Sequence, residues 1–298
     1  MTKTRPNLIT VIACAFALLV SIPASGLAET QGPAIWRVEG GEGDVFLFGT
    51  FHLLPEGLEW QRDAITDALH ESEVIVIEAP IGDQGRTEAT LLISQHRIAA
   101  PGNRTKDRLR PADLYRAQMT AIDLGLAWPV LEQMPPWLTS LTMSQRFYAQ
   151  LGFSSESGIE NTLLTDPNLS PKSWTYFETI GEQLGFFADQ NIDVQKRLLL
   201  STLDQIQSEP ELVSEMLEAW LSGDGETIAS VFTNSMKAET PELYETLIEQ
   251  RNRNWIPTIE TMAADNQDYF VAVGAGHIVG ENGVVALLKA RGYKIDRL

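Results

Sequence analysis

Residues 74–80 read VIVIEAP. Four β-branched residues in a row leave no polar face, so the segment fits a central parallel strand buried on both sides. Pro80 ends it. The run closes on a carboxylate, Glu78, which is costly to bury unless something pairs with it. A chain holding such a strand must supply it with neighbours and with covering helices.

Two further runs qualify as neighbours. They carry the same figure: DVFLFGTFHLLP from Asp44 and DYFVAVGAGHIVG from Asp268. Val45–Phe48 and Tyr269–Val273 read as short buried strands. Each ends in a glycine three residues before a histidine. Gly49 and Gly274 are expected to let the backbone turn sharply, which puts His52 and His277 just beyond two strand ends. Between the first run and VIVIEAP, partial helical periodicity extends from about Glu59 to Glu71, through Trp60, Ile65, Ala68 and Leu69. After the second, ENGVVALLKARG reads as a helix stopped by Gly292, and YKIDRL as a last strand. The sequence therefore predicts an α/β fold whose sheet is built from two βαβ-like halves, one at each end of the chain. A large helical insertion, about 87–264, lies between them. Segments such as PADLYRAQMTAIDLGL and PELVSEMLEAWLSG carry its i, i+3, i+4 apolar spacing. TDPNLSPKS, residues 165–173, is its clearest loop.

The chain has 298 residues, 44% of them hydrophobic, enough for a substantial core. Its formal net charge of −18 argues against nucleic acid or anionic lipid as a partner. Lys3 and Arg5, an apolar run from Leu8 to about Ile22, and PASGLA together read as a secretory signal cut after Ala28. The run is short for a membrane span, so no stable membrane insertion is expected after cleavage. This predicts a periplasmic or secreted protein, with residues 29–298 as a single domain. The one cysteine, Cys14, lies in the leader. VIAC mimics a lipoprotein signal, but the apolar stretch continues past it. Without cysteine, the mature chain has neither a disulfide nor a thiol for catalysis or metal binding.

In a parallel sheet, ligands gather at the carboxyl ends of the strands. If the three strands are neighbours, His52, His277 and Glu78 meet at one rim. Two imidazoles and a carboxylate suit a divalent cation with an open position for water. The set does not choose among zinc, manganese and cobalt. A single histidine beside a glycine usually belongs to a turn; the duplication and the matching strand context argue otherwise. His70 and His96 lie in polar sequence and read as surface residues. In LYETLIEQRNRNWIPTIE, Leu247, Arg251 and Trp255 share one helical row, and Ile248, Asn252 and Ile256 the next. Arg251 and Asn252 thus interrupt an apolar face and require partners. Arg251 is read as orienting a carboxylate, holding an oxyanion, or forming a structural salt bridge.

FLFGTFHLLP, VIVIEAP, RNRNW and FVAVGAGHIVGENGVVALLKARGYKI together resemble the TraB/PrgY/GumN family, related to the Tiki proteases, over about Trp36–Leu298. PPWL around Trp137, GIE ending at Glu160 and YFETIGEQ around Glu178 resemble its weaker intermediate motifs. The resemblance implies a sheet of two related halves, similar to erythromycin esterases and ChaN-like haem-binding proteins. It implies His52, His277 and Glu78 as active-site residues, with Arg251 and Asn252 as the RN motif. Glu160 stands where many members have aspartate.

The resulting expectation is a metal-dependent hydrolase, first a peptidase. His52 and His277 are the metal ligands. Glu78 is a third ligand or the general base, Arg251 stabilises the oxyanion, and Asn252 positions Glu78 or the substrate. Glu160 and Glu178 are weaker candidates. The alternatives are a metal-independent, esterase-like hydrolase with a histidine base, or a protein that binds haem or a peptide without cutting it. The expected partner is a peptide or small-molecule substrate. Trp128, Trp137, Trp174 and Phe177 read as core before they read as pocket.

Overall fold

The computed structural model describes residues 32–208 and 211–298. The expected leader, its cleavage point and Cys14 lie outside the described residues. Among the described residues there are eight strands: β1 (Ile35–Val38), β2 (Val45–Thr50), β3 (Leu54–Pro55), β4 (Val74–Ile77), β5 (Phe153–Ser154), β6 (Ser173–Tyr176), β7 (Tyr269–Gly274) and β8 (Ile295–Arg297). Six form one sheet in the order β6-β4-β7-β2-β1-β8, while β3 and β5 make a small separate ribbon.

The four strands β6, β4, β7 and β2 are parallel. The C-terminal strand β7 is inserted between the two N-terminal strands. Its Ala272 sits opposite Ile77 of β4 and Phe48 of β2. The expected α/β fold is present, with a mostly parallel central sheet that draws strands from both ends of the chain. Neither half is a unit of adjacent strands, because β7 separates β2 from β4. β8 pairs antiparallel with β1 rather than beside β7.

Period-two alternation assigns the strands' side chains to two faces. Ile75, Ile77, Phe48 and Phe270 pack on one face against Ile65 and Leu69 of the helix Asp63–Glu71, with Trp220 of the helix Leu212–Ser222. Val74, Val76, Leu47 and Val271 pack on the other. Trp255, Ile256 and Ile259 of the helix Gln250–Ala263 cover that face, with Leu288 of the helix Val284–Ala290. The continuous apolar runs follow from this double coverage. The insertion is mainly helical, with a core of its own that includes Trp128, Trp137, Met143 and Leu203. It also contributes the edge strand β6, which the sequence reading did not separate from its surroundings.

Gly49 and Gly274 have a different purpose from the expected sharp turn. Neither has a positive φ. A Cβ on Gly49 would come within 3.0 Å of Ala275 Cα, so this glycine lets the two GxxH segments touch. Trp220 Nε1 donates to the Gly49 carbonyl at 2.8 Å. Among the described residues, no helix is long and apolar enough to cross a membrane.

Candidate active site

The parallel strands end in register, and the residues just past those ends form the site. Glu78 follows β4. Glu178 lies two residues past β6, and its backbone N–H donates to the Glu78 carbonyl at 2.9 Å. His52 lies two residues past β2. His277 lies three past β7, in the short helix Ala275–Ile278.

His52 is held through Nδ1, 2.9 Å from Glu160 Oε1. Glu160 is buried at the start of the helix Ile159–Thr165 and also accepts the Thr50 hydroxyl. Gly158 permits this approach, because a Cβ there would sit 2.1 Å from the His52 carbonyl oxygen. Among the described residues the pairing leaves Nε2 of His52 without a hydrogen-bond partner, on a ring whose side chain is 62% exposed. Glu160 raises the His52 pKa to about 9, with help from Glu78 and against Arg251. Water reaches this ring and screens part of that shift.

His277 is the opposite case. Its ring is buried, with Nδ1 2.7 Å from Asn252 Oδ1 and Nε2 2.9 Å from Arg251 Nη1. Arginine only donates, so Nε2 accepts and Nδ1 carries the proton. Burial lowers the His277 pKa to about 3, with Glu78 opposing and Arg251 reinforcing. The imidazole is therefore neutral across the working pH range.

Arg251 joins the two carboxylates. Nη2 lies 2.5 Å from Glu78 Oε2 and 2.8 Å from Glu178 Oε2. Nε donates to Glu178 Oε1 at 2.8 Å, and Nη1 donates to the Leu247 carbonyl at 3.2 Å as well as to His277. Every N–H of the guanidinium is thereby committed. Its plane is also flanked by the Trp255 and Phe186 rings. The expected oxyanion contact has no free donor behind it, and Arg251 acts here as a positioning residue. Asn252 is fully buried, and its Nδ2 donates to the carbonyls of His277 and Asn282 at 3.2 and 2.7 Å. It positions His277, where the sequence suggested Glu78 or the substrate.

Burial pushes the Glu78 carboxyl up, but the surrounding cations more than reverse this and hold it well below the usual carboxylate range. His277 can contribute only where it is itself charged. In the neutral range, Arg251 and His52 supply the effect, aided by the Gly274 N–H donating to Oε1 at 2.7 Å.

Gly274 gives the site its free space. A Cβ there would lie 3.2 Å from Glu78 Oε1, 3.6 Å from His277 Cδ2 and 3.8 Å from His52 Nε2. One small niche therefore touches all three residues. The niche meets a carbon of His277, because that ring's lone pair is taken by Arg251. Of the three atoms nearest a Cβ at Gly274, only Glu78 Oε1 and His52 Nε2 are donor atoms, and among the described residues the expected three-ligand cation site is not formed as arranged. Among the described residues, no group of three or more His, Cys, Asp or Glu side chains is spaced to hold a metal ion.

Sequence reasoning missed Gln183, whose Nε2 donates to Glu78 Oε2 at 3.0 Å, and Trp255, whose indole donates to Glu178 Oε1 at 3.0 Å. A signal for Gln183 was present. Thr179 and Glu182 form a capping box that starts the helix Ile180–Ala188 and points the next residue at the site. His70 and His96 are exposed, as expected. Trp128 and Trp137 pack in the helical core, and Phe177 stacks on Trp255 at 4.9 Å.

The model of the TraB/PrgY/gumN family matches residues 34–297. The chain is 23% identical to the uncharacterised protein YbaP of Escherichia coli (strain K12), across 86% of this chain and 92% of that protein. YbaP of Shigella flexneri gives the same figures. A protein of Amphimedon queenslandica named metalloprotease TIKI homolog is 26% identical, across 90% of this chain and 62% of its own length.

Proposed function

The chain belongs to the TraB/PrgY/gumN family, and from that premise we propose that it is a hydrolase of carbonyl substrates, peptide bonds first among them. The observation carrying this reading is the asymmetric pair of histidines around one niche. His52 is oriented by Glu160 with a free Nε2, while His277 is locked neutral behind Arg251. The relative named a metalloprotease supports hydrolysis as the reaction class.

The step follows from these groups. On the alkaline side of the raised His52 pKa, where the ring is neutral, a water in the Gly274 niche gives a proton to His52 Nε2 as its oxygen attacks the carbonyl carbon. Glu78 accepts the water's other hydrogen and stabilises the imidazolium formed on His52. The bond from carbonyl carbon to leaving nitrogen or oxygen then breaks, and His52 returns its proton to that atom. The products are a carboxylic acid and an amine or alcohol. Arg251 and Glu178 keep the Glu78 carboxylate aimed at the niche, and Asn252 fixes the His277 ring that walls it. The engagement of His277 Nε2 favours this histidine-base form over the three-ligand metal form, so no step is routed through an ion. A secreted or periplasmic location accords with the leader read in the sequence.

The test is turnover of quenched peptides and p-nitrophenyl esters by chelator-treated protein, with and without added manganese, cobalt or zinc. We expect turnover without added metal and a loss of about 10²–10⁴-fold in His52→Ala. Turnover that appears only with added metal, or a His52→Ala variant as active as the parent, would contradict the mechanism.

A further inference from the structure

The niche opens into a chamber of about 460 Å³, within the usual range for a small-molecule site. We propose that this chamber takes an uncharged, bulky apolar group attached to the scissile carbonyl. The proposal rests on the hydrolase reading above and names its substrate class.

Three observations carry it. First, the walls beyond the strand ends are apolar and come from separate helical segments. Phe186 comes from Ile180–Ala188, Met216 from Leu212–Ser222, Phe232 from Ala229–Asn234, and Leu247 from Glu245–Glu249. Second, the charged side chains lining the chamber are already paired. Glu78 and Arg251 bind each other, and His52 binds Glu160. A charged group deep in the chamber would find no counter-ion, and burying it unpaired is costly. Third, the backbone is shaped to place this wall. Ala229–Asn234 and Glu245–Glu249 are both π-helical turns, a form concentrated at functional sites. The Phe232 ring lies against Gly276, where a Cβ would sit 2.4 Å from Phe232 Cε1. The middle glycine of GAGH thus has a use separate from the histidine: it admits the ring that walls the chamber.

The apolar group has two possible sources, an acyl chain or an apolar amino-acid side chain. Kinetics on p-nitrophenyl acetate, butyrate and hexanoate addresses the first, and the N-acetyl-Ala, -Leu and -Phe p-nitroanilides, which carry no charge, the second. In at least one series kcat/KM should rise about four-fold per added methylene, the rate equivalent of ~0.8 kcal/mol. An ω-carboxylate or ω-ammonium on the hexanoyl chain should lower it at least ten-fold. Met216→Trp, which narrows the chamber, should move the optimum to shorter chains. Profiles flat or falling with size in both series, or tolerance of the ω-charge, would overturn the proposal. Calorimetric binding of octanamide against 8-aminooctanamide keeps it separable from the hydrolase reading. Binding of the neutral amide at least ten-fold tighter, even without any turnover, supports the chamber while the reaction assignment fails. Equal binding of both, or of neither, refutes the chamber assignment.

Discussion

Arg251 Nη1 lies 2.9 Å from His277 Nε2 and occupies the lone pair through which that imidazole could act. The two GxxH segments, alike in sequence, therefore deliver different groups. One is an exposed histidine on a buried carboxylate. The other is a buried, neutral histidine that belongs to a charge network.

That network makes Arg251 a stability residue. Arg251→Met leaves the buried Glu78 and the partly buried Glu178 without their shared cation, and breaking a buried pair from one side costs about 3–5 kcal/mol. Urea denaturation should show a loss of this order. Arg253→Met, at an exposed position on the same helix, should change stability by less than about 1 kcal/mol.

Gly274→Ala separates space from folding. The backbone there, φ −49 and ψ 136, accepts alanine, and two of the three contacts its Cβ would make are ordinary van der Waals distances. The methyl group would fill the niche. Stability should stay within about 1 kcal/mol of the parent, while kcat/KM falls about a hundred-fold from displacement of the reacting atoms.

A proton-accepting His52 works only when neutral, so kcat/KM should fall as pH drops through its pKa. Glu160 raises that pKa toward about 9, with solvent screening reducing the shift. The groups facing the ring are Glu160, Glu78 and Arg251. Glu160→Gln should move the acid limb down toward 6.5 and weaken the orientation of the ring. The pH–rate profile of both proteins measures this, and an unmoved limb would detach Glu160 from His52.

Folding stability should respond to acid through His277. Its folded pKa is lowered to about 3 by burial, so below 6.5 the unfolded chain takes up a proton that the folded chain refuses. Stability present above pH 6.5 is then lost progressively as pH falls toward 3. His52 does not contribute to this loss, because a raised pKa gives its full stabilisation below 6.5. Urea midpoints between pH 7 and 5 should fall in the parent and flatten in His277→Gln.

The parts of this site that could be read from sequence were those under local constraint. VIVIE had to be a doubly covered strand, and Arg251 and Asn252 showed themselves as polar residues on an apolar helical row. β1 and β6 escaped because they are half-exposed, with Trp36, Arg37 and Trp174 mixing signals that a buried strand keeps pure. The insertion of β7 between β2 and β4 has no local signature, since strand order is decided by tertiary pairing. The same reason hid which partner Asn252 and Arg251 would choose. Glu160 and Glu178 became candidates through motif resemblance, and their partners, His52 and Arg251, became visible only once the strand ends were brought together.

The most direct measurement is a ring-nitrogen NMR titration of His52 and His277. We expect His277 to stay neutral and protonated on Nδ1 down to about pH 3, while His52 titrates above the ordinary histidine value of 6.5. A His277 that titrates near 6.5, or a His52 that titrates below it, would contradict the division of roles on which the mechanism stands.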